Sequence, residues 1–355
     1  MLISATAMSF VFSIESRSTA SHLVRGLALA ALVAAAMLAA LSLGRYPLGL
    51  GDIAQFLLAS LGFVDLAKPR YDLLFNVIVE IRLPRVLAAT LIGAALAVSG
   101  AAYQAVFRNP LVSPDILGVL SGAAFGAATG FLLGGDQTVV EILAFVMGLA
   151  AAGVGVFIAR LFGGAAIIML VLGGMISGAF FAALLSLVKF VADPYNQLPV
   201  IVYWLMGSLA NVTLSQLGWA AAPICFGIVA IAGLGRGLDA LAMGDDEARA
   251  LGVPVASLRF GVIAAATLMS ALTVSLAGVI GWVGLFIPHV ARLVVGPSNS
   301  TLTPASAALG AVFMLAADAL ARSIGKVELP IGVVTQLLGI PAFLLVLSRA
   351  RRNWI

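Results

Sequence analysis

The sequence carries one cysteine, Cys225, and two histidines, His22 and His289. A lone thiol inside an apolar run has no partner for an internal disulfide, and two distant histidines offer no soft cluster for a metal. No GxxxxGK[ST] loop is present to wrap nucleotide phosphates, so the chain itself is not expected to bind ATP. Charge is scarce as well, at 10% of 355 residues with a net +4 spread along the loops, and without a basic run nucleic acid is not an implied partner. A pore for bare ions needs carboxylates or other ionisable groups inside its spans. Few exist here, which weighs against a channel or stand-alone secondary transporter, kept as the alternative from another class. No paired nucleophile and base is apparent, and an intramembrane enzyme ranks lower still.

What is abundant is apolar surface: 62% of residues are hydrophobic and the mean hydropathy is +1.16. A hydrocarbon core about 30 Å thick takes roughly 20 apolar residues as helix, and no alternating strand pattern runs through the apolar segments. The chain is therefore expected to be an all-α polytopic membrane protein. Ten spans are predicted near 26–43, 86–107, 114–135, 139–159, 165–188, 213–235, 259–279, 281–296, 304–324 and 330–348, with a short helix over 197–207 at the outer mouth. Residues 1–25 read as a cytoplasmic leader, since MLISATAMSFVFSI resembles a weak signal segment without its basic start. Residues 26–348 form one transmembrane domain, and 349–355 a cytoplasmic tail.

Arg17, Arg25, Arg108, Arg160, Arg236, Arg249, Arg259, Arg292, Arg349, Arg351 and Arg352 fall on one face, which the positive-inside rule makes cytoplasmic, with both termini. Opposite lie Arg45, Lys68, Arg70, Arg82, Arg85, Lys189, Arg322 and Lys326. Arg82, Arg85 and Arg322 sit tight against span ends and need another explanation.

Glycines recur every four residues from Gly118 to Gly134, a small-residue face for close helix packing. AATL at 88–91 followed by Val98-Ser99 echoes AATL at 265–268 followed by Val274-Ser275, in spans of opposite direction, as in an inverted repeat. The intramembrane acid Asp318 stands four residues before Arg322, the spacing of a structural ion pair. His289, near a helix end, reads as a packed or interfacial side chain. In the loop from Gly235 to Arg259, Asp245, Asp246 and Glu247 open a short helix that Gly252 and Pro254 close, and a second short piece precedes it at 238–243. Two such helices between spans are either a solvated connector or a rigid lever for a cytoplasmic partner.

The stretches RLPRVLAATLIGAALAVSGAAYQAVFRNPLVSPDILGVLSGAAFGAA, YWLMGSLA, LAMGDDEARALGV, SLAGVIGWVGLFIPHVARLVVG, LTPASAALGAVFMLAADALARS and ELPIGVVTQLLGIPAF, in this order, resemble the permease subunit of the iron-chelate, haem and cobalamin (FecCD-type, type II) ABC importers. The resemblance implies ten spans per subunit, a homodimer with one central pathway, two cytoplasmic ATPase subunits that bind ATP and Mg²⁺, and a periplasmic binding protein, all at the bacterial inner membrane. The chain itself would bind no cofactor or metal. The family's coupling motif falls on Gly244, Glu247, Ala248, Leu251 and Gly252. Its cytoplasmic gate falls on Asn109 and Leu111, with Arg108 where cobalamin permeases carry an acid. Its docking arginines fall on Arg82, Arg85 and Arg322. The fifth span, the short helix and the tenth span would line the pathway, offering Ser177, Ser186, Thr335 and Gln336. So weakly charged a wall leaves selection to the binding protein; the expected cargo is a ferric siderophore, with haem, cobalamin and molybdate as alternatives.

Overall fold

The computed structural model describes residues 24–44, 46–163, 167–325 and 327–351. The expected leader up to residue 23, with Arg17 and His22, therefore lies outside the described residues, as do Arg45, Lys326 and the tail from Arg352. Helices account for the architecture: α1 (Val24–Ser42), α2 (Leu50–Ser60), α3 (Lys68–Phe75), α4 (Leu83–Phe107), α5 (Val119–Leu132), α6 (Gln137–Gly163), α7 (Ile167–Val191), α8 (Gln197–Leu205), α9 (Leu214–Gly233), α10 (Gly235–Met243), α11 (Asp245–Ala250), α12 (Val255–Ala277), α13 (Val283–Val295), α14 (Asn299–Ser323) and α15 (Ile331–Arg351).

Each of the ten expected spans has a helix, but seven are long and apolar enough to cross a membrane by length and composition. The other three are shorter apolar helices, Val119–Leu132, Val283–Val295 and Ile331–Val346. Glycine accounts for one shortening, because Gly118 turns left-handed at φ +77° between a 3-10 turn, Pro114–Leu117, and α5. The long loop expected after α1 is itself helical. α2 lies within it, and α3 runs through a π-helical segment, Asn76–Arg82, straight into α4 as one rod of 40 residues. The helix therefore begins well before the span start expected near residue 86 and passes through Pro84. A proline ring lacks the N–H and crowds the carbonyl one turn back, and the wider turn, in which Leu83 N–H bonds Ile78 O, lets the helix pass it.

α4 is the central post, buried along most of its length and packed by α9, α12, α13 and α14. Its crossing with α14 brings Gly93 against Gly310 so closely that a Cβ on either would enter the other's carbonyl. The two AATL copies sit in α4 and α12, and Ser99 Oγ donates to Ala266 O at 3.2 Å, so the echoed segments touch. α5, α6 and α7 form the neighbouring group, where Gly122 and Gly126 meet the α6 backbone at Met147 and Leu143. At one end of the bundle the chain segments at 206–208, 277–279 and 331–332 knot together. Ser208 N–H bonds Ala277 O at 2.8 Å, and Ile331 N–H and Gly332 N–H bond Gly207 O and Met206 O, each at 3.0 Å. This knot fixes α8 and α15 relative to the end of α12.

Candidate coupling, gate and docking sites

The expected short helices between α9 and α12 are α10 and α11. Gly244 separates them at φ +147° and ψ 162°, a backbone region open essentially to glycine alone. α11 ends as its sequence predicts: Gly252 turns left-handed at φ +77°, its N–H bonds Arg249 O at 2.9 Å, and Val253 N–H reaches back to Ala248 O at 3.0 Å. Of the coupling residues, Ala248 and Gly244 are buried, whereas Glu247, Leu251 and Gly252 are exposed. The pair is also bolted to the bundle. Asp239 in α10 accepts from Asn299 N–H at 2.6 Å, Asn299 Nδ2 at 2.8 Å and Ser298 Oγ at 2.8 Å, capping α14 from outside its own chain segment. Beside α11 an open depression of about 540 Å³ is lined by Asp245, Arg249, Pro254, Ser257 and Arg259.

The expected gate residues lie in the turn that follows α4. Arg108 closes that helix at φ +49°, an uncommon conformation for a side chain with a Cβ, and Asn109 N–H bonds back to Gln104 O at 3.2 Å. Asn109 Oδ1 accepts from Leu111 N–H at 2.9 Å, and both side chains are exposed. One contact escaped the sequence: Arg108 lies 3.7 Å from Asp245 in α11, and Asp245 takes a 2.6 Å hydrogen bond from Arg259, which is 2% exposed at the foot of α12. The hydrogen bond from Arg259 is the largest cause that holds the Asp245 carboxyl below the usual aspartate range; burial opposes it, and the charges of Arg259, Arg108 and Arg249 add to the lowering. Asp245 and Arg259 are 14 residues apart in one loop, but Arg108 lies in a distant segment, and nothing in the sequence joined it to that loop.

At the other end of α4 lie the three arginines expected to dock a binding protein. Arg82, Arg85 and Arg322 are 4%, 8% and 7% exposed, and all three are engaged inside the chain. Arg82 donates to Leu41 O, Ser42 O and Tyr46 O; Arg322 donates to Leu43 O at 3.0 Å and Ala40 O at 3.2 Å. These carbonyls belong to the last turn of α1 and the chain just beyond, which intrahelical bonds leave unmet. Two cations there satisfy them and favour the negative end of the helix dipole. Arg85 pairs with Asp318 at 2.7 Å and Glu328 at 2.8 Å, and the expected Asp318–Arg322 pair is present at 3.0 Å. The arginines floor a depression of about 220 Å³ with Tyr46 and Glu328 on its wall.

Of the expected lining residues, Ser177 and Thr335 are fully buried, with their hydroxyls donating to Ala151 O at 2.6 Å and Gly332 O at 3.0 Å. A hydroxyl in an apolar environment takes a backbone carbonyl when one is within reach, which turns both inward. Ser186 and Gln336 keep exposed side chains. His289 packs edge-on against Phe343 and bonds Leu285 O through Nδ1 at 2.9 Å.

Residues 31–349 match the FecCD transport family. The chain is 36% identical over 313 residues to the molybdate import system permease of Haemophilus influenzae, covering 88% of this chain and 92% of that one. It is 38% identical over 275 residues to a probable iron chelatin transport permease of Helicobacter pylori, covering 78% and 83% of the two chains. An inward-facing structure of a metal-chelate type ABC transporter superposes with a TM-score of 0.81 at 35% identity, covering 91% of this chain and 98% of that one.

Proposed function

The chain belongs to the FecCD transport family of ABC importer permeases, and from that premise we propose that two copies form one central pathway importing an iron-siderophore type chelate across the bacterial inner membrane. Hydrolysis of ATP with Mg²⁺ takes place in two separate ATPase subunits, and a periplasmic binding protein delivers the cargo. The observation that carries this reading is the rigid α10–α11 pair, which exposes Glu247 and Leu251 beside an open depression while Asp239 and Asp245 tie it to α14 and α12. A solvated connector needs no such anchoring, whereas a lever must move with the spans it drives. In this orientation the α11 end is cytoplasmic, both termini are cytoplasmic, and the arginine-floored depression faces the binding protein. Asn109 and Leu111 form the gate, and Ser186 and Gln336 line the pathway. The molybdate permease matched over 92% of its length favours molybdate as the second cargo.

The test is uptake into vesicles containing this chain, its ATPase and its binding protein. ATP-dependent accumulation of a labelled ferric siderophore, with none for molybdate, is the expected result. Accumulation of molybdate alone would overturn the cargo. ATP hydrolysis by the purified chain without its ATPase, or uptake indifferent to ATP, would overturn the importer reading.

A further inference from the structure

Between α6 and α12 runs an apolar groove of about 580 Å³ whose lining includes none of the expected coupling, gate or pathway residues. Leu149, Gly153 and Phe157 line it from α6, and Phe260, Ala264 and Leu268 from α12. It begins near the middle of both helices and opens at the α11 end, where Arg160 stands at its mouth with its guanidinium carbon 4.8 Å from the centre of the Phe260 ring.

Three features select the occupant. From Leu149 to Arg160 the helix rises about 16 Å at 1.5 Å per residue, which matches half of a hydrocarbon core about 30 Å thick. The groove thus has the length of one acyl chain of a single leaflet. Gly153 creates its depth, because a Cβ built there meets no atom within 4 Å, so the missing side chain leaves open space where other α6 glycines meet a neighbouring backbone. Arg160 supplies the polar end: it is exposed, and a guanidinium held over a ring keeps N–H donors around its edge, where they suit a phosphate. Apolar length closed by one cation at headgroup depth is complementary to an anionic phospholipid.

We propose that this groove binds an anionic phospholipid from the leaflet at the α11 end, one acyl chain lying along Gly153 and its phosphate on Arg160. The inference rests on the chain spanning the membrane and is independent of the cargo. The bound lipid bridges α6 and α12, and so couples the stability of the α5–α7 group to the helix that carries Arg259.

The experiment uses the full chain, purified in mild detergent and titrated with phosphatidylglycerol or phosphatidylcholine. Retained lipid is counted by native mass spectrometry and the unfolding midpoint is followed. Wild type should retain phosphatidylglycerol about fivefold better than phosphatidylcholine. Gly153→Leu should fill the groove and abolish retention of one lipid; Ala264→Leu, from the opposite wall, is the independent check should the first variant fail to fold. Arg160→Gln should still retain a lipid but lose the preference. Equal retention of both lipids by wild type, or an unchanged preference in Arg160→Gln, would overturn the proposal. So would an equal midpoint shift from inorganic phosphate alone, which would make this a free-anion site, or loss of the dimer in both groove variants without loss of lipid, which would make it a subunit interface. Failure of the uptake experiment above would leave each of these outcomes readable.

Discussion

Asp245 and Arg108 stand 3.7 Å apart, joining α11 to the turn that closes α4. On its other side Asp245 accepts from Arg259 at 2.6 Å, so one carboxylate of α11 touches the turn after α4 and the foot of α12. A displacement of α11 is felt by both at once. The departure from the cobalamin pattern at Arg108 then has a physical meaning: a cation in the turn after α4 has its partner acid in α11.

Asp245→Asn is expected to keep the chain folded and inserted while lowering cargo moved per ATP, since it removes a charge-assisted hydrogen bond of about 1.5 to 3 kcal/mol. Because the folded carboxyl titrates below its unfolded value of about 4, its stabilisation is complete above that pH and disappears as the pH falls through the folded value. Wild type should therefore lose more stability than Asp245→Asn in acid, and the two pH profiles should run parallel from pH 5 to 8. Equal transport per ATP in the two proteins would remove Asp245 from the coupling path.

Gly252→Val is expected to uncouple transport without a steric clash. No atom lies within 4 Å of a Cβ built there, so the penalty is the left-handed backbone alone, about 1 to 2 kcal/mol. Asn, which tolerates that conformation, should restore most of the activity. Normal ATP-driven uptake in Gly252→Val would argue that α11 is not the lever.

The positions of the ten expected spans and of α11 were legible because continuous apolar runs and capping residues are local signals, as at α11, where three acids and Gly252 bracket the helix, whereas α2 and α3 were not foreseen. The glycine spacing at 118–134 likewise announced the close α5–α6 packing that Gly122 and Gly126 make. The arginines were only half legible. Asp318 and Arg322 are one turn apart and could be paired on paper, but the carbonyls that Arg322 caps lie 279 and 282 residues away. Ser177 and Thr335 were read as lining because their helices were, yet which face a hydroxyl takes depends on a neighbouring carbonyl that no periodicity reports.

Burial of the arginines changes how docking must be tested. Arg82→Glu or Arg85→Glu would place a carboxylate against the carbonyls that close α1 or against the fully buried Asp318, and losing one partner of a buried pair costs about 3 to 5 kcal/mol. Such variants lose the fold before binding can be read. Glu328 offers a gentler handle, because it is partly exposed on the depression wall and occupies Arg85 at 2.8 Å. Arg85 pairs with both Asp318 and Glu328 and Arg322 pairs with Asp318, while Arg82 is bonded to backbone carbonyls, so Glu328→Gln leaves Asp318 alone against two cations and frees an Arg85 donor for an incoming acid. If acidic side chains of the binding protein enter this depression, Glu328→Gln should tighten docking up to about fivefold, within the 0 to 1 kcal/mol range of a solvent-accessible pair. The gain should shrink from low to physiological salt as screening grows. Binding measured at both salt concentrations decides the matter: affinity unchanged at low salt, in a variant that unfolds at the wild-type midpoint, would leave the arginines with the structural task of closing α1 and no part in docking.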